Sequence, residues 1–217
     1  MKQIVVFDTG TGGKIFADHF RQEIPGVKIT EVIDSINAPY GSKKPAQILT
    51  LTESALRPYL NDPLLPIIVL ACNTATALTL SNLRSKYPNQ IFVGTEPAVK
   101  PAAQLTRNGK VLILATPAAL RSPHYQNLKS KYAKKLTLYE PNCTDWAAKI
   151  DAGTLTDQDI SATLSPYQAY SPDVIILACT HYLAIPTQAF TNIFPDISIY
   201  SPLPSVTNRI KSLLRQL

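Results

Sequence analysis

Cysteine, histidine and long apolar runs are all scarce in this chain, and each scarcity excludes a class of protein. Three cysteines in 217 residues are too few for a disulfide scaffold. None of them form the C-x-x-C spacing of a structural zinc site, so no metal is expected. No apolar run approaches the ~20 residues that span a bilayer. The amino terminus enters a strand at Lys2-Gln3-Ile4-Val5-Val6-Phe7 without a signal-peptide pattern. These features predict a cytoplasmic, thiol-reduced protein with no membrane partner. Lys and Arg outnumber Asp and Glu by 21 to 15, a net charge of +6. The cations are scattered, with short clusters such as Lys43-Lys44 and Lys129-Ser130-Lys131, and no aromatic-basic interleaving accompanies them. That pattern predicts a solvated surface able to attract a small anionic substrate, and no nucleic-acid partner.

What is present is a hydrophobic content of 45%, ordinary for a packed core, arranged as apolar runs alternating with amphipathic stretches. Strands are expected at 2–7, 27–33, 66–71, 91–94, 110–115, 135–139, 173–178 and 197–200. Helices are expected at 13–23, 45–60, 75–86, 97–107, 118–131, 144–152, 157–170, 183–193 and 204–216. The alternation predicts an α/β fold of mostly parallel strands flanked by helices.

Two segments nearly repeat each other: Leu65-Pro66-Ile67-Ile68-Val69-Leu70-Ala71-Cys72-Asn73-Thr74 and Pro172-Asp173-Val174-Ile175-Ile176-Leu177-Ala178-Cys179-Thr180-His181. Each is an unbroken apolar run, as in a strand buried on both faces, ending in Leu-Ala-Cys. They lie about half a chain apart, which predicts two pseudo-symmetric domains, residues 1–95 with 199–217 and residues 96–198. The crossing is expected near Gly94-Thr95-Glu96-Pro97, with Pro97 starting a helix. Open α/β sheets bind ligands at the carboxyl ends of their strands. Both cysteines are therefore expected at one interdomain cleft.

The first strand runs into Phe7-Asp8-Thr9-Gly10-Thr11-Gly12-Gly13. The third glycine is misplaced for a dinucleotide fingerprint and the Walker lysine is absent, so a carboxylate-binding turn is expected. Asp8 can point at Cys72 and relay its proton, raising the thiol pKa, or it can cap a helix or loop. Cys72 precedes Asn73-Thr74 at a helix start whose dipole favours thiolate. Cys179 precedes Thr180 and His181, an imidazole able to exchange a proton with the thiol. Each cysteine alone fits a small buried hydrophobe, whereas the matched pair points to chemistry. Cys143 reads as structural, and His19 and His124 as surface or boundary residues. Two thiols on opposite sides of a carbon can remove a proton from one face and deliver one to the other. Such an inversion needs no cofactor if a dry, donor-rich pocket stabilises the carbanion.

The motifs Phe7-Asp8-Thr9-Gly10-Thr11-Gly12-Gly13, Asp34-Ser35 with Pro39-Tyr40-Gly41-Ser42-Lys43, Ala71-Cys72-Asn73-Thr74-Ala75, Gly94-Thr95-Glu96-Pro97-Ala98 and Ala178-Cys179-Thr180-His181-Tyr182 stand in one order along the chain. With them it resembles the cofactor-independent glutamate racemases of the aspartate/glutamate racemase superfamily. The resemblance implies interconversion of L- and D-glutamate between two α/β domains, without a cofactor, supplying D-glutamate to bacterial cell-wall synthesis. It implies that Cys72 serves one enantiomer and Cys179 the other, assisted by Asp8 and His181 respectively. Thr9, Pro39, Tyr40, Gly41, Asn73, Thr74, Thr116 and Thr180 match positions lining the substrate pocket, and Asp151 matches an assisting acidic residue. Homodimers are common in the family. The chain departs from its pattern at Thr9 for Ser, Ala119 for Thr, Asp151 for Glu, Leu183 for Pro, and Tyr200-Ser201-Pro202 for a late Asp-Ser. These changes spare both thiols. They leave two alternatives open: a racemase for aspartate or another amino acid, and a racemase-like binding protein with little turnover.

Overall fold

The computed structural model describes residues 2–60, 62–64, 66–96 and 98–216. Leu65 of the first repeat and Pro97 of the crossing lie outside the described residues. Among the described residues eight short strands form two parallel four-stranded sheets. The first holds β1 (Gln3–Asp8), β2 (Lys28–Ile33), β3 (Ile67–Leu70) and β4 (Phe92–Gly94), in the order β2-β1-β3-β4. The second holds β5 (Lys110–Ala115), β6 (Thr137–Tyr139), β7 (Val174–Ala178) and β8 (Ser198–Tyr200), in the order β6-β5-β7-β8. The two orders are the same, so the half-chain repetition is a repetition of topology. The registers Phe7↔Leu70 and Ala115↔Ala178 put the carboxyl ends of each central pair side by side.

Continuous apolar runs form these central strands because helices cover both faces of each sheet. Side chains alternate between faces. Ile4, Val6, Ile67 and Val69 pack against Phe16 and Phe20 of α1 (Thr11–Glu23) and against Val206 and Ile210 of α10 (Leu203–Leu214). Val5, Phe7, Ile68 and Leu70 turn the other way, onto α2 (Pro45–Leu56) and α3 (Asn73–Lys86). In the second sheet Val111, Ile113, Val174 and Ile176 face α4 (Val99–Leu105), α5 (Pro117–Arg121) and α6 (Pro123–Tyr132). Leu112, Leu114, Ile175 and Leu177 face α7 (Trp146–Asp151), α8 (Asp157–Leu164) and α9 (Thr187–Thr191). The last helix thus leaves the second sheet and packs on the first.

All eight expected strands form, each within two residues of its expected ends. The helices depart at prolines, which lack the N–H that a helix interior needs. The expected helix 118–131 is two helices, because Ser122 caps a new one at Pro123 by accepting the N–H of Tyr125 at 3.1 Å. The expected helix 157–170 stays α-helical to Leu164 and continues as a 3-10 turn through Pro166. The expected helix 183–193 is a 3-10 turn at Thr180–Ala184 and then α9, separated by Ile185-Pro186. The expected helix 45–60 ends at Leu56, before Arg57-Pro58.

Candidate active site

In both sheets the central strands connect outward to one edge and return to the other side, creating the switch point where α/β sheets open a crevice. Cys72 follows β3 and Cys179 follows β7, the equivalent strand. Both thiols line one cavity of about 640 Å³, within the range of about 300–1,000 Å³ usual for small-molecule sites. Thr9, Pro39, Tyr40, Gly41, Asn73, Thr74, Thr116, Thr180, His181 and Asp151 line it as well. Asp8 does not. It is fully buried, and its carboxylate accepts the N–H of Thr9 at 2.6 Å and the hydroxyl of Thr180 at 2.8 Å, so it acts on the cavity through two residues that do line it.

Three hydrogen-bonded contacts join the sheets around this cavity. Thr180 reaches Asp8, Thr74 Oγ1 meets Thr116 Oγ1 at 2.9 Å, and Thr11 donates to Asp151 from its N–H at 3.0 Å and its hydroxyl at 2.7 Å. The last contact changes the meaning of the glycine-rich turn. Thr11 opens α1, where backbone N–H groups have no partner within the helix. The carboxylate held at the end of this turn is the protein's own Asp151. Gly10 and Gly12 make the approach possible. A Cβ on Gly10 would lie 2.4 Å from Asp151 Oδ2 and 2.5 Å from His181 Nε2, and one on Gly12 would lie 2.5 Å from Thr180 Cβ.

The loop after β2 supplies another wall. Asp34 accepts the Tyr40 hydroxyl at 2.6 Å and the Asn37 amide at 2.8 Å, which folds Pro39, Tyr40 and Gly41 inward. Asn73 is 2% exposed, and both polar atoms of its side chain lack a hydrogen-bond partner among the described residues. Such a group costs about 1–3 kcal/mol if left unsatisfied, and this one stands on the cavity wall.

The two thiols sit in different electrostatic settings. Cys72 caps α3 and accepts the Ala75 N–H at 3.5 Å. The helix start was expected to favour its thiolate. Instead burial, and then the charges of Asp8 and Cys179, push its pKa far up and hold it as a thiol. Cys179 Sγ lies 3.8 Å from His181 Nδ1, and His181 Nε2 lies 3.1 Å from Asp151 Oδ2. Burial pulls the His181 pKa down, but the hydrogen bond and charge of Cys179 and the charges of Asp8 and Asp151 outweigh it and raise it to about 10. Burial raises the pKa of Asp8, against the opposing pull of His181.

Cys143 is buried in the second sheet's core, its carbonyl accepting the Tyr182 hydroxyl at 2.9 Å, and burial pushes its thiol up to about 12. His19 is half-buried between α1 and Thr207 of α10, and His124 lies 3.6 Å from Glu96. Thr11, Lys14 and Ser35 also line the cavity, and the sequence reading gave them no role. Thr11 had one available signal, a hydroxyl at the first position of a helix in a glycine-rich turn. Ala119 is buried and off the cavity wall, its N–H donating to Thr116 Oγ1 at 3.3 Å. No helix among the described residues is long and apolar enough to cross a membrane.

Residues 15–202 match the family described as Asp/Glu/Hydantoin racemase. The glutamate racemase of Sulfurovum sp. (strain NBC37-1) is 37% identical over 186 residues, 83% of this chain and 70% of that protein. The glutamate racemase of Roseiflexus sp. (strain RS-1) is 32% identical over 219 residues, 99% of this chain and 80% of that protein. Among solved structures, Escherichia coli glutamate racemase in complex with L-glutamate and the activator UDP-MurNAc-ala superposes with a TM-score of 0.86 at 27% identity, covering 99% of this chain and 82% of that one.

Proposed function

The chain belongs to the Asp/Glu/hydantoin racemase family, and from that premise we propose that it is a glutamate racemase using two cysteines and no cofactor. The observation that carries this reading is that Cys72 and Cys179, from equivalent strand ends of two like sheets, line one cavity.

The chemistry follows from their placement. A substrate Cα held between the sulfurs loses its proton to the thiolate on one face and receives a proton from the thiol on the other. The base ends as a thiol and the acid as a thiolate, so the reverse reaction exchanges their roles. Cys72, kept protonated by burial and Asp8, suits the donor role in the resting site. Cys179 exchanges its proton with His181, whose far nitrogen faces Asp151. The Asn73 amide and the free donor of the Thr74–Thr116 hydroxyl pair are aimed at the substrate's carboxylates, and these preorganised dipoles stabilise charge that spreads from Cα in the transition state. The net charge of +6 favours the approach of an anionic amino acid.

Residues 1–95 with the returning α10 form one domain in this reading, and the central segment forms the other. The pairing of Ser198–Tyr200 with β7 supports starting that return after Tyr200 rather than at residue 199. Homodimer formation, a cytoplasmic setting and supply of D-glutamate to the cell wall are further parts of the proposal. Light scattering and complementation of a D-glutamate auxotroph test them. For the mechanism, Cys72→Ser and Cys179→Ser should each lower kcat for L-glutamate by more than about a thousandfold, because removing one of two interdependent groups disables the pair. Normal activity in either variant would refute the two-base assignment.

A further inference from the structure

Thr11 stands apart from the residues that the motifs single out for chemistry, yet it makes the most direct contact between the first helix and the acid/base residues of the other sheet. We propose that Thr11 is a positioning residue for the Cys179 side of the reaction: it fixes the Asp151 carboxylate across the cleft, and Asp151 fixes His181 against Cys179. The catalytic consequence rests on the racemase reading, whereas the positioning itself does not.

Both Thr11 donors converge on one oxygen, Asp151 Oδ1, at 3.0 Å from the N–H and 2.7 Å from the hydroxyl. That leaves Oδ2 to face His181 Nε2 at 3.1 Å, with Nδ1 on the opposite ring edge 3.8 Å from Cys179 Sγ. The Asp151 side chain is one-third exposed, so an unanchored pair with the imidazole would be screened by water and free to turn away. Two donors on Oδ1 remove that freedom and decide which oxygen meets the ring. Gly10, the residue before Thr11, carries no Cβ where one would stand within 2.5 Å of Asp151 Oδ2 and His181 Nε2. Thr11 belongs to α1 on the first sheet, while Asp151 ends α7 on the second. The anchor therefore exists only while the two sheets stay together around the cavity, which ties the state of His181 to closure of the cleft. Besides Asp151, the groups that act on this imidazole are Cys179 and Asp8.

The test compares Thr11→Val, which removes the hydroxyl and keeps the shape, with Thr11→Ser, which restores it. In the ligand-free protein the His181 ring is titrated by NMR, resolved from His19 and His124, the other two histidines of the chain. The Val variant should lower the His181 midpoint by about one pH unit, and the Ser variant should return it to the wild-type value. In racemisation assays the Val variant should lose about tenfold in kcat with a KM within about twofold of wild type, and Ser should rescue it. The substrate α-deuterium isotope effect should rise only for the enantiomer whose Cα–H meets Cys179, a directional signature that general loosening of the fold would not give. If Val proves unfolded by circular dichroism, Thr11→Ala replaces it. An unchanged His181 titration, or a Ser variant no better than Val, overturns the proposal. A wild-type protein that leaves glutamate untouched would sink the racemase reading, while the titration would still decide the role of Thr11.

Discussion

His181 concentrates the electrostatics of the site in one side chain. Burial alone would favour its neutral form, yet Cys179, Asp8 and Asp151 lift its pKa to about 10 from the ordinary value near 6.5. The folded protein therefore binds a proton that the unfolded chain releases above about pH 6.5. The stability this contributes is fully present below that pH and drains away as the pH climbs to about 10. Melting temperatures of wild type and His181→Asn should converge over that interval, and a gap independent of pH would show that the imidazole carries no bound proton there. That Cys72, Cys179 and His181 would come together at one cavity was legible in the sequence because each is local to a strand end. The balance at Cys72 was only half legible: the rise caused by Asp8 was expected, but the helix start argued for thiolate, and burial, the largest effect, depends on the side chains packed around the sulfur in the first sheet's core.

The turn between β1 and α1 shows how much of a functional element is decided by a distant partner. Its glycines were visible and so was their capacity to bind a carboxylate. That the carboxylate would be Asp151, 140 residues further on, has no local signature. Gly12 is the sharper test of this docking. A Cβ there would meet Thr180 Cβ and Oγ1 at 2.5 Å and the Thr180 backbone carbon at 2.7 Å, and backbone cannot swing aside as a side-chain end can. Gly12→Ala should force the turn away from Thr180, break its bond to Asp8, and cost about 1–3 kcal/mol as overpacking does. Thermal melts should show the loss, and activity should fall with it; a variant as stable and active as wild type would mean that the turn and Thr180 are not tightly docked. The helices that ended early or split did so at Pro58, Pro123, Pro166 and Pro186. Amphipathic spacing ran across those prolines, and it overrode a breaker signal that was present in the sequence.

For the protein as a unit, the main consequence of the near-repeat is that two sheets of one topology meet with their equivalent strand ends facing a shared cavity. The alternation of runs and helices made both sheets legible, since strands buried on both faces need unbroken apolar sequence. α10 packs on the first sheet through its apolar residues Val206 and Ile210, which fill a face beside Phe16 and Phe20. The symmetry belongs to the strands and their order, while the surroundings of the thiols differ: Cys72 has Asn73 and a buried carboxylate, and Cys179 has Thr180, an imidazole and an anchored carboxylate. One measurement addresses the central claim most directly. The purified protein is incubated with L-glutamate in deuterated water without any added cofactor, and optical rotation is followed alongside mass spectrometry of the amino acid. Two-cysteine racemisation predicts that rotation decays to zero while deuterium appears at Cα. Unchanged rotation with no deuterium at Cα would contradict it.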